Sequence, residues 1–386
     1  MGVMDERAAA AAPAGRVAPR SGRRLAFAVL VLGLLCTLCA PFFVDLIDHS
    51  APRIRAGQVD YSAYGPLQAP VELKGDWRVA WRSAPQPGAT FPLPAPGAWE
   101  GAHGSAPTLP QQGAASYHVT VRGLEAGRYT VFLPSQFAGT RAAVNGEVRS
   151  ERGAAGATPA ATRYLVRSHQ VGFETDGSDV DLRIDVSAWF HRDNGLLVTP
   201  LLGREGPMAN WAVLDWIRSL LLMTTLLLLA CYGAVVFLFR PKDRASLYFG
   251  LSCLLLLPLE GVFAHDNLVM IALPGLSFLG MLTFQYLTGA VALALILAYT
   301  HALFPRESPR LIYRLTQAAI GAMGLLYAAC AARGDTLALS QASQACTAVR
   351  LGAIFYIVLV VLAASVRRRA RRAGRARCGP PVRPCR

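Results

Sequence analysis

Leu220–Phe239 reads L-L-L-M-T-T-L-L-L-L-A-C-Y-G-A-V-V-F-L-F, without a single charged residue. At 1.5 Å per residue such a run matches the ~30 Å hydrocarbon core of a bilayer. Inside lipid every backbone N–H and C=O needs an internal partner, so the run has to be helical. Further apolar runs follow with short polar breaks. Their spacing predicts helices over Asp215–Phe239, Ala245–Phe263, Leu276–Phe304, Leu311–Ala332 and Ala345–Val366. The connections carry an independent signal. Arg240, Lys242 and Arg244 follow the first helix, Arg306, Arg310 and Arg314 lie around the link from third to fourth, and the chain from Arg367 is dense in arginine. His265–Gly275 and Gly334–Gln344 have neither Lys nor Arg. Basic and neutral connections alternate as the positive-inside rule requires, with the basic ends in the cytoplasm.

Of the 386 residues 53% are hydrophobic and only 16% charged, against about 25% charged in soluble domains. The formal net charge of +14 comes from arginines gathered at the two ends of the chain. That placement fits membrane topology and argues against a nucleic acid partner. Six of the eight cysteines fall in apolar runs, Cys378 and Cys385 lie in the basic tail, and Asp45–Val213 has none. No disulfide therefore staples that segment. Cys36-x-x-Cys39 lies inside an apolar run, where neither a redox nor a metal role is expected.

Met1–Arg24 is rich in Ala, Pro and Arg, and is expected to be a disordered cytoplasmic segment. Leu25–Val44 follows it as an apolar run of about 20 residues, longer than a signal-peptide core, which reads as an uncleaved signal-anchor helix. The chain from Asp45 to about Asn210 is then exported. It reads as an all-β sandwich, with strands expected at Val71–Leu73, Arg78–Trp81, Ser116–Arg122, Arg128–Leu133, Thr140–Val144, Tyr164–Arg167 and Val180–Val186. Tyr117, Val119 and Val121 share one face of their strand, while Trp77 and Trp81 share another and belong to the core. Asn145-Gly146 signals a type I′ hairpin.

Leu73-Lys74-Gly75-Asp76-Trp77 with Trp81, then Pro94–Trp99, Gly113–Val121, Val144-Asn145-Gly146, Asn194-Gly195-Leu196 and Pro200–Gly203 form an order of elements. This order resembles the extracellular domain of bacterial seven-transmembrane receptors with diverse intracellular signalling modules. The resemblance implies a galactose-binding-like jelly roll set before a helical block, and a ligand-binding module; the Ala/Gly/Arg-heavy composition points to a bacterial plasma membrane, and the basic segments place both termini in the cytoplasm. It runs from about Val71 to Val366. One departure stands out: five helices are read in 211–366, where those receptors have seven and then an output domain. The basic tail 367–386 shows no apolar periodicity, so a short or truncated form of such a receptor is expected.

Trp189-Phe190-His191-Arg192-Asp193-Asn194-Gly195 mixes aromatic and hydrogen-bonding side chains in a loop, which suits a sugar-like ligand. Trp189, His191, Asp193 and Asn194 are the ligand-binding candidates. The plainer alternative is a turn whose aromatics cover the end of the sandwich. Glu260, after Pro258, is an intramembrane carboxylate and hence a candidate for function. A pair with Arg218 or Arg350 would couple helix packing to the sandwich; a carboxylate at headgroup level and a snorkelling Arg218 are the simpler readings. Gln285 and Tyr286 line a cavity or bond between helices.

No catalytic constellation emerges. The seven histidines form no H-E-x-x-H and no pair at metal-ligand spacing. Walker A and G-x-S-x-G motifs are absent from the sequence, and Asp179, Asp181 and Asp185 follow one strand rather than facing across a cleft. The expectation is a non-enzymatic sensor that needs no cofactor or metal and relays an extracytoplasmic ligand through its helices. Its expected partners are that small ligand, the lipid bilayer, a cytoplasmic signalling protein and a second copy of the chain. A transporter or channel subunit and a membrane-anchored carbohydrate-binding or carbohydrate-processing protein are the alternatives.

Overall fold

The computed structural model describes residues 44–84, 87–100, 109–264 and 266–377, with side chains as far as Arg367. The expected segment Met1–Arg24, residues 25–43 of the anchor, the Cys36/Cys39 pair, His265 and the tail from Cys378 lie outside the described residues. The chain from Leu46 onward forms one compact unit.

Its first part is a β domain. The strands are β1 (Gln58–Asp60), β2 (Val71–Glu72), β3 (Gly75–Trp81), β4 (Thr90–Ala95), β5 (Gly97–Ala98), β6 (Gly113–Arg122) and β7 (Gly127–Leu133), then β8 (Gly139–Val144), β9 (Glu147–Arg152), β10 (His169–Thr175), β11 (Val180–Ala188), β12 (Gly195–Leu196) and β13 (Leu201–Arg204). One sheet runs β4-β3-β6-β11-β8-β9, with β1 parallel to β6; a second runs β10-β7-β13-β2, and β12 pairs with β5. The two larger sheets share one core. In it Trp77 meets Tyr117 edge-on at 6.2 Å, and Trp81 meets Trp99 at 5.0 Å. The Trp99 indole donates to the Tyr117 hydroxyl at 2.7 Å, which satisfies both polar atoms inside the core.

Local chemistry explains most boundaries. Asn145 and Gly146 both take positive φ, 51° and 82°, the type I′ geometry that joins β8 to β9. Strand β4, which carries Pro92 and Pro94, was not among the expected strands. Both prolines are exposed on an edge strand while Phe91, Leu93 and Ala95 turn inward, so no ladder N–H is missed. Tyr164–Arg167, expected to be a strand, pairs with neither sheet. The strand starts at His169 instead, because Leu165 and Val166 pack against the helices.

Seven helices follow among the described residues: α1 (Glu205–Phe239), α2 (Arg244–Phe263), α3 (Leu268–Ala272), α4 (Phe278–Leu303), α5 (Arg310–Ala332), α6 (Thr336–Ala345) and α7 (Thr347–Arg377). Five of them, α1, α2, α4, α5 and α7, are long and apolar enough to cross a membrane, which makes this a multi-pass membrane protein. Three details differ from expectation. Helix α1 begins ten residues before Asp215, directly after β13, because Trp211 and Met208 bury against Phe132 and Leu201. The two neutral connections contain α3 and α6, which Asn267 and Asp335 cap at Met270 and Ala338. Helix α7 continues past Val366 to Arg377. Contacts with the β domain fall at the start of α1, at the two neutral connections and in the first turns of α4, so the basic connections gather at the opposite end.

Helices α1 and α2 touch through glycine. A Cβ built on Gly233 would come within 2.7 Å of the Gly250 Cα and 2.8 Å of the Ser246 carbonyl oxygen. Small residues of this kind allow close backbone approach where lipid supplies no hydrophobic drive.

One buried histidine makes the β domain sensitive to acid. His169 has no exposed surface; its Nε2 bonds Thr140 Oγ1 at 2.6 Å and its Nδ1 bonds Ser150 Oγ at 2.8 Å. Burial, helped by the Arg152 charge, pushes the imidazole down to about 4. The folded state thus keeps this ring neutral while an unfolded chain protonates it near 6.5, so the unfolded state binds more protons between those values. Unfolding followed from pH 7.5 to 4 should show this contribution intact above about pH 6.5. It should then fall away with decreasing pH by up to about 1.4 kcal/mol per unit. His169→Gln should flatten the profile.

Candidate functional site

Three β-domain loops converge on one end of the helical block. Gln136 shapes the first: its Oε1 accepts from the Leu197 and Val198 N–H groups, and its Nε2 donates to the Pro134 and Val198 carbonyls. This places Phe137 against His191, with ring centroids 4.7 Å apart, and toward Phe278 at 6.3 Å. In the second loop the Tyr164 hydroxyl accepts from the backbone N–H groups of Trp189 and Phe190, which ties this loop to the third. The Tyr164 ring meets Phe278, the first residue of α4, edge-on at 4.6 Å. Phe278 thus lies among rings from all three loops.

Polar contacts flank these rings. Asp266, before α3, accepts from Ser168 N at 3.2 Å and Ser168 Oγ at 2.8 Å, and pairs with Arg167 at 3.6 Å. On the other flank Arg192 N donates to Ser340 Oγ of α6 at 3.0 Å. His191 is 4% exposed, with Nε2 3.5 Å from the Tyr286 hydroxyl. Burial holds its imidazole below the ordinary histidine value, so it meets α4 uncharged. A narrow cleft beside Trp211, Asp215 and Asp266 has room for about one water molecule.

The four loop candidates do not form an open ligand surface. Asn194 is buried, its Nδ2 donating to the Gln111 and His191 carbonyls, and His191 faces the helices. Trp189 is partly buried, and only Asp193 is exposed. The loop therefore covers the end of the domain and docks it. Among the described residues Glu260 pairs with neither Arg218 nor Arg350. Arg350 instead turns its guanidinium to Ser343 and Thr347. Structure does join two sets of candidates that the sequence kept apart, since His191 Nε2 lies 3.5 Å from the Tyr286 hydroxyl. Gln285 is buried with Oε1 unbonded. Phe137, Tyr164, Asp266 and Phe278 escaped the sequence reading. The polar stretch Ser340-Gln341-Ala342-Ser343-Gln344 inside an apolar block was its one visible sign. No group of three or more His, Cys, Asp or Glu suited to a metal occurs among the described residues.

Two open basins lie on the β domain away from this junction. Arg53, Arg55, Lys74 and Asp76 line one of about 880 Å³. Arg128, Tyr129, Arg149, Glu174 and Glu205 line another of about 730 Å³. The second reaches the first residue of α1, where Arg128 pairs with Glu205 at 3.9 Å.

No family model matches the chain, and no curated protein matches it. Among solved structures it is similar to the GH2 β-galacturonidase from Eisenbergiella tayi bound to galacturonate, at 14% identity over 36% of this chain and 24% of that one, with a TM-score of 0.28. The β-glucuronidase from Ruminococcus gnavus in complex with D-glucuronic acid is 11% identical over 36% of this chain and 30% of that one, with a TM-score of 0.27. For the Faecalibacterium prausnitzii β-glucuronidase the values are 14%, 32%, 22% and 0.23. The chain spans less than a third of the length of these proteins.

Replacing Phe278 removes the ring that all three loops touch. Phe278→Ala should cost roughly 2 kcal/mol, part of the 3–5 kcal/mol of a fully buried ring. It should raise hydrogen exchange at Tyr164–Arg167 and His191–Asn194. Phe263→Ala, at a side chain 68% exposed on α2, should change neither stability nor exchange there.

Proposed function

We propose that the protein is a receptor-like membrane sensor. In this reading the β domain, a galactose-binding-like jelly roll, takes a small extracytoplasmic ligand, and its binding shifts the helices between pre-existing packings. Their basic ends, in the cytoplasm of a bacterial cell, then act on a signalling partner, with no chemistry performed on the ligand. The resemblance to seven-transmembrane receptors with intracellular signalling modules belongs to this reading.

The observation that carries it is the built junction around Phe278, where Phe137, Tyr164 and His191 meet a membrane helix. A domain that merely hung from an anchor would need no such contacts with α4 and α6. The continuous passage from β13 into α1 adds a stiff second attachment. The basin at Arg128, Arg149 and Glu174 suits the ligand better than the Trp189–Asn194 loop. It is open, carries both charges and an aromatic ring, and touches Glu205 at the head of α1.

The test uses the full-length protein in lipid nanodiscs, screened by thermal shift against sugars, amino acids, peptides and lipids. A ligand that protects β7 and β10 from hydrogen exchange should also change exchange in Phe278–Tyr286 and in α6. Arg128→Ala should weaken its binding. A ligand that binds the β domain and leaves the helices unchanged would contradict the relay. Silence from every ligand class would contradict the sensor.

A further inference from the structure

The connection between α4 and α5 is fastened to α7 at two points. The His301 ring stacks on Tyr313 with centroids 4.1 Å apart, and its Nδ1 lies 2.8 Å from the buried hydroxyl of Ser308. That hydroxyl also bonds the Tyr356 hydroxyl of α7 at 2.8 Å. One residue earlier, Glu307 Oε1 pairs with Arg367 Nη1 at 3.5 Å. The connection is thus a fixed wall. An open basin of about 640 Å³ lies beside it, lined by the charged Arg306, Glu307 and Arg367 and by the apolar Leu303, Phe304 and Ala364.

The level of this basin in the membrane bears on what it holds. From Thr347 to Arg367 α7 has 21 residues, about 30 Å of helix and hence the thickness of the hydrocarbon. Arg367 then stands at the height of the headgroups, at the end of the block away from the β domain. Leu303, exposed in the last turn of α4, gives the basin a wall toward the acyl chains. Its charges do not balance, since two guanidinium groups meet one carboxylate. Among the described residues Arg306 forms no ion pair. Arg367 is exposed and keeps further donors beside the one turned to Glu307. Guanidinium forks match phosphate oxygens, and basic pockets between helices at the membrane surface take phospholipid headgroups. A soluble anion would make no use of the apolar wall.

We infer that Arg306 and Arg367 hold the phosphate of a membrane phospholipid in this basin, with Glu307 accepting from the donor groups that the headgroup carries beyond its phosphate. The site stands whether or not the β domain relays a ligand, so it goes beyond the sensor reading.

The full-length protein, delipidated in an uncharged maltoside detergent, is titrated at constant ionic strength with short-chain phosphatidylglycerol, with the matching diacylglycerol and with inorganic phosphate. Native mass spectrometry counts bound ligand on the folded, monodisperse fraction. That count separates a variant that has lost the site from one that has failed to fold. The wild type should bind phosphatidylglycerol more tightly than either of the others. The double variant Arg306→Gln/Arg367→Gln should bind it roughly tenfold or more weakly, the factor carried by a charge-assisted hydrogen bond, and each single change should lose less. Glu307→Gln breaks the ion pair as Arg367→Gln does but keeps both cations, so it should retain binding; a merely structural pair would make the two variants alike. Arg333→Gln, at an exposed arginine of the opposite end, should match the wild type. The inference is overturned by diacylglycerol or inorganic phosphate binding as tightly as phosphatidylglycerol, or by no binding at all. It is equally overturned by equal binding in wild type and the double variant, by a loss in Glu307→Gln as large as in Arg367→Gln, or by an equal loss in Arg333→Gln.

Discussion

Phe278 packs its ring against Tyr164 at the head of a membrane helix, and the rest of the molecule is arranged around that contact. A sheet cannot enter hydrocarbon without leaving its edges unbonded, so the β domain must stay outside it. Its hold on the helices then depends on what its loops present. Here they present rings, with a histidine that burial keeps uncharged and with backbone groups answered by Asp266 and Ser340. The second hold is covalent, since Arg204 ends a strand and Glu205 begins a helix of 35 residues. At about 52 Å that helix exceeds the hydrocarbon thickness. Its surplus first turns bury Trp211 against Phe132, with rings 4.9 Å apart. Two attachments on different helices fix an orientation where one would leave a pivot.

The distribution of charge follows from the same arrangement. Carboxylates near the β domain have partners within it: Asp266 holds Arg167, and Glu205 holds Arg128. Glu260 forms no ion pair among the described residues, and the Arg350 guanidinium donates to Ser343 and Thr347. The two groups that looked complementary in sequence belong to separate surroundings. Their separation leaves the coupling of the two halves to ring packing and to the flanking contacts of Asp266 and Ser340.

Much of this was legible before the structure. Lipid permits only one backbone solution, so the ends of α2, α4 and α5 fell within two residues of expectation. The start of α1 did not, because Glu205–Leu214 is helical through contacts with β7 and β13 and carries no unbroken apolar run. Asn145-Gly146 was readable because positive φ has a residue signature, while β4 was hidden by prolines that an edge strand tolerates. The loop Trp189–Gly195 stood out in the sequence as a mixture of rings and polar groups. Its orientation was not readable, since the same composition serves a ligand or a neighbouring helix. Tyr164–Arg167 failed for a related reason: its apolar side chains pack on the helices, and an apolar pattern does not say which partner buries it.

Docking of the β domain on the helical block is the central claim, and an engineered disulfide across the junction tests it most directly. Arg192 and Ser340 lie 148 positions apart in sequence, yet the Arg192 N–H meets Ser340 Oγ at 3.0 Å. With Cys introduced at both positions in an otherwise cysteine-free chain, mild oxidation in native membranes should form an intramolecular disulfide. The bond should be visible as a shift in electrophoretic mobility that a reductant reverses. If instead both thiols stay free and open to a membrane-impermeant maleimide, the domain does not sit on the helices, and the account built on Phe278 is wrong.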